Sequence, residues 1–234
     1  MRKMINSVLR KWGYQISRVP QVRRGFHASH LPRICQPKTV IDVGVAHGTP
    51  GLYEAYPRAK FILVEPLREF ESTIGEIAKK YDCIVYYKAV GRREGVAEMN
   101  IDTENLRLSS LRDRLPPMRA GGPPLKKQVE VTTLDAIARE NETLQVPILL
   151  KIDAVGYELE VLHGAGELLQ KTDTVIVGVS VGRRFADGYG FEDLVSFMKS
   201  SGFYVYDFLK ITYIDQEPSP RYADVVFKRQ KQQS

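Results

Sequence analysis

The chain has 234 residues, 43% of them hydrophobic, which is enough for one large α/β domain with a buried core. Its net charge of +6 arises in residues 1–38, which carry nine basic and no acidic side chains; the remainder has 25 basic and 28 acidic residues. Because nucleic-acid binding depends on many cations against phosphates, the slightly acidic remainder argues against DNA and RNA as partners.

Cys35 and Cys83 are too few and too isolated for a disulfide framework or a metal site, so we expect a reducing compartment and no metal. No apolar run reaches the roughly 18 residues that span a bilayer, and the N-terminus lacks the pattern of a signal peptide. We therefore expect a cytoplasmic protein.

Residues 1–38 are predicted to form a basic N-terminal helix and arm, followed by one domain over residues 39–234. One helical face of the first turns is apolar, and Gly13 can end the helix; the apolar residues are Met4, Ile5, Val8, Leu9 and Trp12. A basic amphipathic helix of this kind either lies on an anionic membrane surface, through residues 1–13, or packs on its own domain or on a second subunit. Packing is the preferred interpretation, and a homo-oligomer stays open.

From Val40 onward, strand and helix patterns alternate. Strands are predicted at 40–43, 60–64 and 84–88, with helices at about 50–56 and 67–80 between them. The alternation resumes with a strand at 148–152, a helix at 157–169, a strand at 174–181 and a helix at 191–201. This order predicts a mostly parallel, doubly wound Rossmann-like sheet.

The middle and the end of the chain are less regular. Strands at 96–101 and 128–132 flank a loop rich in proline and glycine, from Pro116 to Pro124, which is either a binding loop or disordered. Two final strands, at 203–208 and 223–228, read as a hairpin joined by a turn around Pro218 and Pro220. A terminal hairpin on a parallel sheet predicts an antiparallel edge strand.

The first strand runs into a glycine turn, Gly44-x-x-x-Gly48, with Asp42 just before it. Glycines let the backbone approach a ligand closely, but the spacing differs from the dinucleotide fingerprint, and an early carboxylate disfavours a pyrophosphate. Glu65 follows the second strand about 20 residues later, where an acid in this type of fold binds ribose hydroxyls. S-adenosylmethionine (SAM), which carries both a sulfonium and a ribose, fits this pattern.

A third carboxylate, Asp153, ends the strand Leu149–Ile152 and is followed by Gly156-Tyr157-Glu158 and a helix. The carboxyl ends of parallel strands form the binding crevice of such a sheet. Asp42, Glu65 and Asp153 are therefore expected to line one edge, a clustering that packing alone does not explain.

Through these segments the chain resembles the FkbM-type SAM-dependent methyltransferases, over about Val40 to Lys228. The matching motifs are Asp42-Val43-Gly44, Glu65-Pro66, Leu134-Asp135, Lys151-Ile152-Asp153, Gly156-Tyr157-Glu158-Leu159-Glu160-Val161-Leu162 and Gly164-Ala165. The resemblance implies a seven-stranded doubly wound sheet whose last strand is antiparallel. It also implies methyl transfer to an oxygen, often a sugar, polysaccharide or polyketide hydroxyl. The family often has Asn at the position of Ala46, an acid or amide at Val155 and Glu at Gly178.

Several side chains near the predicted strand ends are candidates for catalysis and cofactor binding. Asp153 is the first candidate for the general base and Glu158 the second. Alternatively, Glu158 stabilises the following helix through the favourable interaction of its negative charge with the helix dipole. His47 and His163 are weaker candidates, and Ser109-Ser110 either lines the pocket or forms a plain turn. The expected cofactor-binding residues are Asp42, Gly44, Ala46, His47, Gly48, Glu65, Pro66, Ala89 and Asp153.

Two other functions stay in view. The departures at Ala46, Val155 and Gly178 are compatible with a catalytically weakened SAM-binding or scaffold protein. An oxidoreductase that uses NAD is disfavoured because the chain lacks G-x-G-x-x-G at the first turn.

Overall fold

The computed structural model describes residues 29–115, 124–141, 144–213 and 219–230. The predicted N-terminal helix and most of the loop from Pro116 to Pro124 lie outside these residues. The strands are β1 (Thr39–Val43), β2 (Lys60–Val64), β3 (Cys83–Tyr86), β4 (Ala89–Val90), β5 (Gly95–Ile101), β6 (Leu125–Thr132), β7 (Ile148–Ile152), β8 (Thr172–Ser180), β9 (Phe203–Thr212) and β10 (Tyr222–Arg229). The helices are α1 (Leu31–Ile34), α2 (Pro50–Ala55), α3 (Glu71–Ala78), α4 (Leu134–Glu140), α5 (Glu158–His163), α6 (Gly166–Lys171) and α7 (Phe191–Ser200).

Seven strands form the main sheet in the order β3-β2-β1-β7-β8-β10-β9. β1 pairs in parallel with β2 and β7, and the outer neighbours β3 and β8 continue the parallel arrangement. Every residue of β1 and β7 is buried, as expected for parallel strands covered on both faces. The predicted doubly wound, mostly parallel fold is confirmed.

The final hairpin supplies the antiparallel part of the sheet. β10 pairs antiparallel with β8 on one side and with β9 on the other, so β9 takes the outermost position. Asp224 of β10 lies directly opposite Gly178 of β8 and Lys210 of β9. This register becomes important at the site.

Apolar side chains cover both faces of the main sheet. One face packs on α4, α5, α6 and α7 through residues such as Leu134, Val161 and Leu194. The other face packs on α1, α2 and α3, and here Leu31 is fully buried while its carbonyl accepts a hydrogen bond from the Tyr56 hydroxyl at 2.8 Å. The packed part of the chain therefore includes α1, upstream of residue 39.

The helix expected at 157–169 is in fact two helices, α5 and α6, separated at Gly164. A Cβ at Gly164 would lie 2.1 Å from the carbonyl oxygen of Gly91, so the chain passes too close there for any larger residue. The carboxylate of Asp135 then accepts hydrogen bonds from the amides of Glu167 and Leu168 and caps the start of α6. Both causes are distant in sequence, which is why local periodicity missed the break.

A small second sheet, in the order β4-β6-β5, follows the third strand of the main sheet. α4, which the sequence analysis did not assign, begins after it with the Thr133 hydroxyl accepting from the Ala136 amide at 3.0 Å. Among the residues that the structure describes, no helix is both long and apolar enough to cross a membrane.

Candidate cofactor and acceptor site

A cavity of about 680 Å³ opens at the carboxyl ends of the parallel strands. Its walls come from the loops after β1, β2 and β7, from the ends of β8, β9 and β10, and from the small sheet. This position is the crevice that open α/β sheets use for ligands, and the volume is typical of small-molecule sites.

The loop after β1 depends on Gly44, whose φ is +76°. A Cβ at this position would lie 2.0 Å from the carbonyl oxygen of Asp153. Only glycine therefore lets the end of β1 lie directly against the end of β7. The turn brings its own backbone and Asp153 to the same side of the cavity.

Glu65 faces the cavity from the end of β2. One carboxylate oxygen accepts from the Ala46 amide at 2.9 Å and the other from the Leu67 amide at 3.0 Å. Burial raises the pKa of Glu65, and these two amides partly oppose the rise. Each oxygen keeps acceptor capacity, so the carboxylate is fixed in place and can still accept from ligand hydroxyls.

Asp42 does not line the cavity, which corrects its assignment to the cofactor site. It is fully buried, with one oxygen 2.8 Å from the Lys151 ammonium. The other oxygen accepts from the hydroxyls of Tyr53 at 2.6 Å and Thr49 at 3.2 Å. Asp42 thus supports the glycine turn from beneath.

Of the remaining candidate residues, the two histidines lie outside the cavity wall and the others line it. His47 is exposed, packs edge-on against Phe70 with ring centroids 5.0 Å apart, and is not a cavity residue. His163 packs against Phe197 and also lies outside the cavity wall. The cavity is lined by the other expected cofactor-site residues, Gly44, Ala46, Gly48, Glu65, Pro66, Ala89 and Asp153.

The two candidate bases differ in their surroundings. Asp153 is exposed and borders the cavity. Glu158 is 1% exposed, and its carboxylate accepts from the Gly156 amide at 3.0 and 3.1 Å and from the Tyr189 hydroxyl. Burial raises the pKa of Glu158 to about 7. Glu158 also lines the cavity, but its carboxylate is engaged by Gly156 and Tyr189, so the exposed Asp153 is the better placed of the two.

Backbone strain coincides with two of the departures from the family pattern. Ala46 and Val155 adopt φ of +45° and +48°, a left-handed conformation that Asn and Asp tolerate and a β-branched residue does not. The Ser110 hydroxyl donates to the Val155 carbonyl at 2.7 Å, and Ser109 lines the cavity. The serine pair therefore does contribute to the site.

The cavity wall also contains charged residues that were not predicted from the sequence, among them Lys151, Lys210 and Asp224. Asp224 lies within an apolar strand, and burial together with the charge of Asp153 raises its pKa to about 6. A charged residue inside an apolar run was the available signal. Among the described residues, no cluster of three or more His, Cys, Asp or Glu side chains could hold a metal.

The sequence profile of the methyltransferase FkbM domain matches residues 42–205. No protein of curated function matches the sequence.

Several solved structures resemble the chain at low identity. A TehB-like SAM-dependent methyltransferase from Corynebacterium glutamicum is 12% identical, with 97% of this chain and 96% of that one covered and a TM-score of 0.41. A precorrin-6y C5,15-methyltransferase from Geobacter metallireducens is 9% identical, with coverage of 85% and 84% and a TM-score of 0.40. An O-methyltransferase family protein from Burkholderia thailandensis is 12% identical, with a TM-score of 0.45; 88% of this chain is covered, but only 55% of that longer one.

Proposed function

The chain belongs to the FkbM family of SAM-dependent methyltransferases, and from this premise we propose that it methylates a hydroxyl group of a sugar, polysaccharide or other small natural product. The observation that carries the proposal is that Glu65, the glycine turn and Asp153 all border one cavity. Glu65 is a candidate partner for ribose hydroxyls, and Asp153 is a candidate proton acceptor on the same wall.

The residues of the cavity fit the cofactor by their donor and acceptor chemistry. The Glu65 carboxylate is locked by two amides yet keeps acceptor capacity towards the cavity. Gly44, Ala46 and Gly48 present backbone with little side-chain bulk, and Pro66 and Ala89 add apolar surface. When bound, SAM supplies a methyl group that its sulfonium already activates.

With an activated methyl group, the protein has two remaining tasks: alignment of the acceptor and removal of its proton. Alignment supplies a large share of such a rate enhancement. A hydroxyl also needs a base within hydrogen-bond reach as the new bond to carbon forms. Both Asp153 and Glu158 line the cavity, but Asp153 is the proposed base because it is exposed there, while Glu158 is buried and accepts hydrogen bonds from Gly156 and Tyr189.

A two-step experiment tests the proposal. First, SAM, its demethylated product and NAD are compared by thermal shift, since a ligand at about 100 times its Kd adds roughly 2.7 kcal/mol of stability. Second, methyl-labelled SAM is incubated with a panel of free sugars and glycosides, and labelled ether products are isolated.

Asp153→Asn should lower turnover roughly 10² to 10⁴-fold while SAM still binds, because the amide keeps the shape but cannot accept the proton. Asp82→Asn, at an exposed position before β3, is the matched control. Binding of SAM with no product on any acceptor would favour the scaffold alternative, and full turnover by Asp153→Asn would remove Asp153 from its role.

A further inference from the structure

Three charged residues and a glycine lie in a row at the cavity wall, on three strands and just after the end of a fourth. Lys210 of β9, Asp224 of β10 and Gly178 of β8 lie directly opposite one another in the sheet, so they share one face. Asp153 follows the end of β7 and lies against the same glycine. All four residues line the cavity.

Gly178 has no side chain between two carboxylates of this row, and we call the part of the cavity between Asp153 and Asp224 at Gly178 the notch. A Cβ at Gly178 would lie 3.3 Å from Oδ1 of Asp153 and 3.4 Å from Oδ1 of Asp224. That point is one bond length from the Gly178 Cα, so a ligand cannot occupy it, but its closeness to both oxygens shows that the two carboxylates converge above Gly178. A ligand hydroxyl on the cavity side of this point can lie between them and donate to one of them.

The charged side chains around the notch determine which ligand groups can bind there. Burial and the negative charge of Asp153 raise the pKa of Asp224 to about 6, while Lys210 and Lys151 oppose the rise. The Lys151 ammonium is 2.8 Å from Asp42, and Lys210 is exposed on β9. Two carboxylates bordering a space favour hydrogen-bond donors there and repel anions.

We propose that the acceptor hydroxyl enters the notch at Gly178 and is held between Asp153 and Asp224, which makes Asp224 a second catalytic carboxylate. This inference rests on the proposed methyltransferase function and adds the acceptor subsite to it. As the acceptor oxygen bonds to the methyl carbon, the carbon–sulfur bond of the cofactor breaks with its electron pair left on sulfur. The hydroxyl proton passes to the Asp153 carboxylate.

The subsite also sets a specificity. The group beside the reacting oxygen has to be neutral or a hydrogen-bond donor, because a carboxylate or phosphate there would meet two carboxylates at close range. Neutral, polyhydroxylated acceptors are the class that fits, since a second hydroxyl can donate to the other carboxylate.

Gly178→Ala tests the notch with little risk to folding. The added methyl group fills the space and meets only the flexible ends of two aspartate side chains, and alanine is more favourable than glycine within a strand. Gly75→Ala is the matched control, because a Cβ at Gly75 in α3 has nothing within 4 Å. Asp224→Asn removes the second carboxylate while its shape is retained.

The measurement uses the full chain labelled with ¹³C at the aspartate carboxyl groups, with methyl α-D-glucopyranoside as the probe. In the wild type and in Gly75→Ala, the probe should shift the signals of Asp153 and Asp224. In Gly178→Ala it should leave both unshifted. An equal response in both alanine variants, or no response in the wild type, overturns the inference.

Calorimetry with SAM separates this inference from the proposed function. SAM should bind the wild type, Gly178→Ala and Asp224→Asn with the same affinity, since β1 and β7 lie between β8 and β2, the strand that leads into Glu65. Failure of the wild type to bind SAM contradicts the proposed function. If SAM binds normally but the sugar probe does not shift the Asp153 and Asp224 signals, only the acceptor subsite is contradicted. With a sugar that the acceptor panel identifies, Asp224→Asn should lower kcat by about 10²-fold or more; an unchanged kcat contradicts a catalytic role.

Discussion

The ammonium of Lys151 lies 2.8 Å from the carboxylate of Asp42, and both side chains are buried beneath the glycine turn. The same ammonium donates to the carbonyl of Gly44 at 3.0 Å. Burial opposes the charge of Lys151, but the carboxylates of Asp42, Asp153 and Asp224 outweigh it, so the pKa of Lys151 lies above its ordinary value. This pair ties β1 to β7 where the cavity begins.

Lys151→Met should destabilise the protein by about 3 to 5 kcal/mol, because it leaves the Asp42 carboxylate buried without its cation. Denaturant unfolding measures the loss. Lys80→Met, at an exposed position after α3, is the control and should change little. The double variant Lys151→Met with Asp42→Asn should recover part of the loss; a single variant as stable as the wild type would show that the pair contributes nothing.

Val155→Asn should stabilise the fold by about 1 kcal/mol. A β-branched residue in the left-handed region costs roughly 1 to 3 kcal/mol, which Asn largely avoids. The bond from Ser110 goes to the backbone of Val155 and survives the change. Val96→Asn, at a strand position that is 68% exposed, is the comparison and should give no gain. If both variants behave alike in thermal unfolding, strain at Val155 is not the cause.

Stability should depend on pH through Asp224. Its pKa is about 6 in the folded protein and 3.8 as an ordinary side chain, so the folded state binds this proton more tightly. The contribution of Asp224 to stability is therefore complete below pH 3.8 and is lost as the pH rises through about 6. The free energy of unfolding falls over this range by up to about 3 kcal/mol before solvent screening is taken into account.

Asp224→Asn should remove this dependence and be more stable than the wild type at about pH 8. Glu158, whose pKa is raised to about 7, contributes with the same sign in both proteins, so the comparison isolates Asp224. Urea unfolding over a pH series gives the two curves. Parallel curves would mean that Asp224 titrates alike in the folded and unfolded chain.

The sequence correctly predicted those cavity residues that directly follow a parallel strand. Glu65 and Asp153 each follow an apolar strand, and the carboxyl ends of parallel strands must meet at one edge. Asp42 sits at a similar place but takes Lys151 as its partner, a pairing that depends on the register of β1 against β7. Strand register is not visible in a single segment.

Asp224 was missed for a related reason. It belongs to the antiparallel strand β10, so the start of this strand, rather than its carboxyl end, reaches the cavity. Its neighbours Gly178 and Lys210 are about 46 and 14 residues away in sequence and meet it only through pairing across three strands. The break at Gly164 likewise depends on a distant residue, Gly91.

The N-terminal segment can be tested separately. Residues 1–28 carry seven basic residues, each worth about 1 kcal/mol near an anionic surface. We expect packing, so removal of residues 1–28 should lower the melting temperature or dissociate an oligomer, with no vesicle binding by either form. The shortened chain begins at Ser29 and therefore keeps α1. Co-sedimentation of the full chain with anionic vesicles that is lost on truncation would establish a membrane role instead.

Calorimetric titration of SAM into the full chain, and into Glu65→Ala, tests the central claim most directly. Loss of a charge-assisted bond costs about 1.5 to 3 kcal/mol, so Glu65→Ala should weaken SAM binding at least about tenfold. Glu54→Ala, on the exposed side of α2, should bind as the wild type does. We expect SAM binding that depends on Glu65; no SAM binding by the wild type, or equal affinity in Glu65→Ala, would contradict the proposed cofactor site.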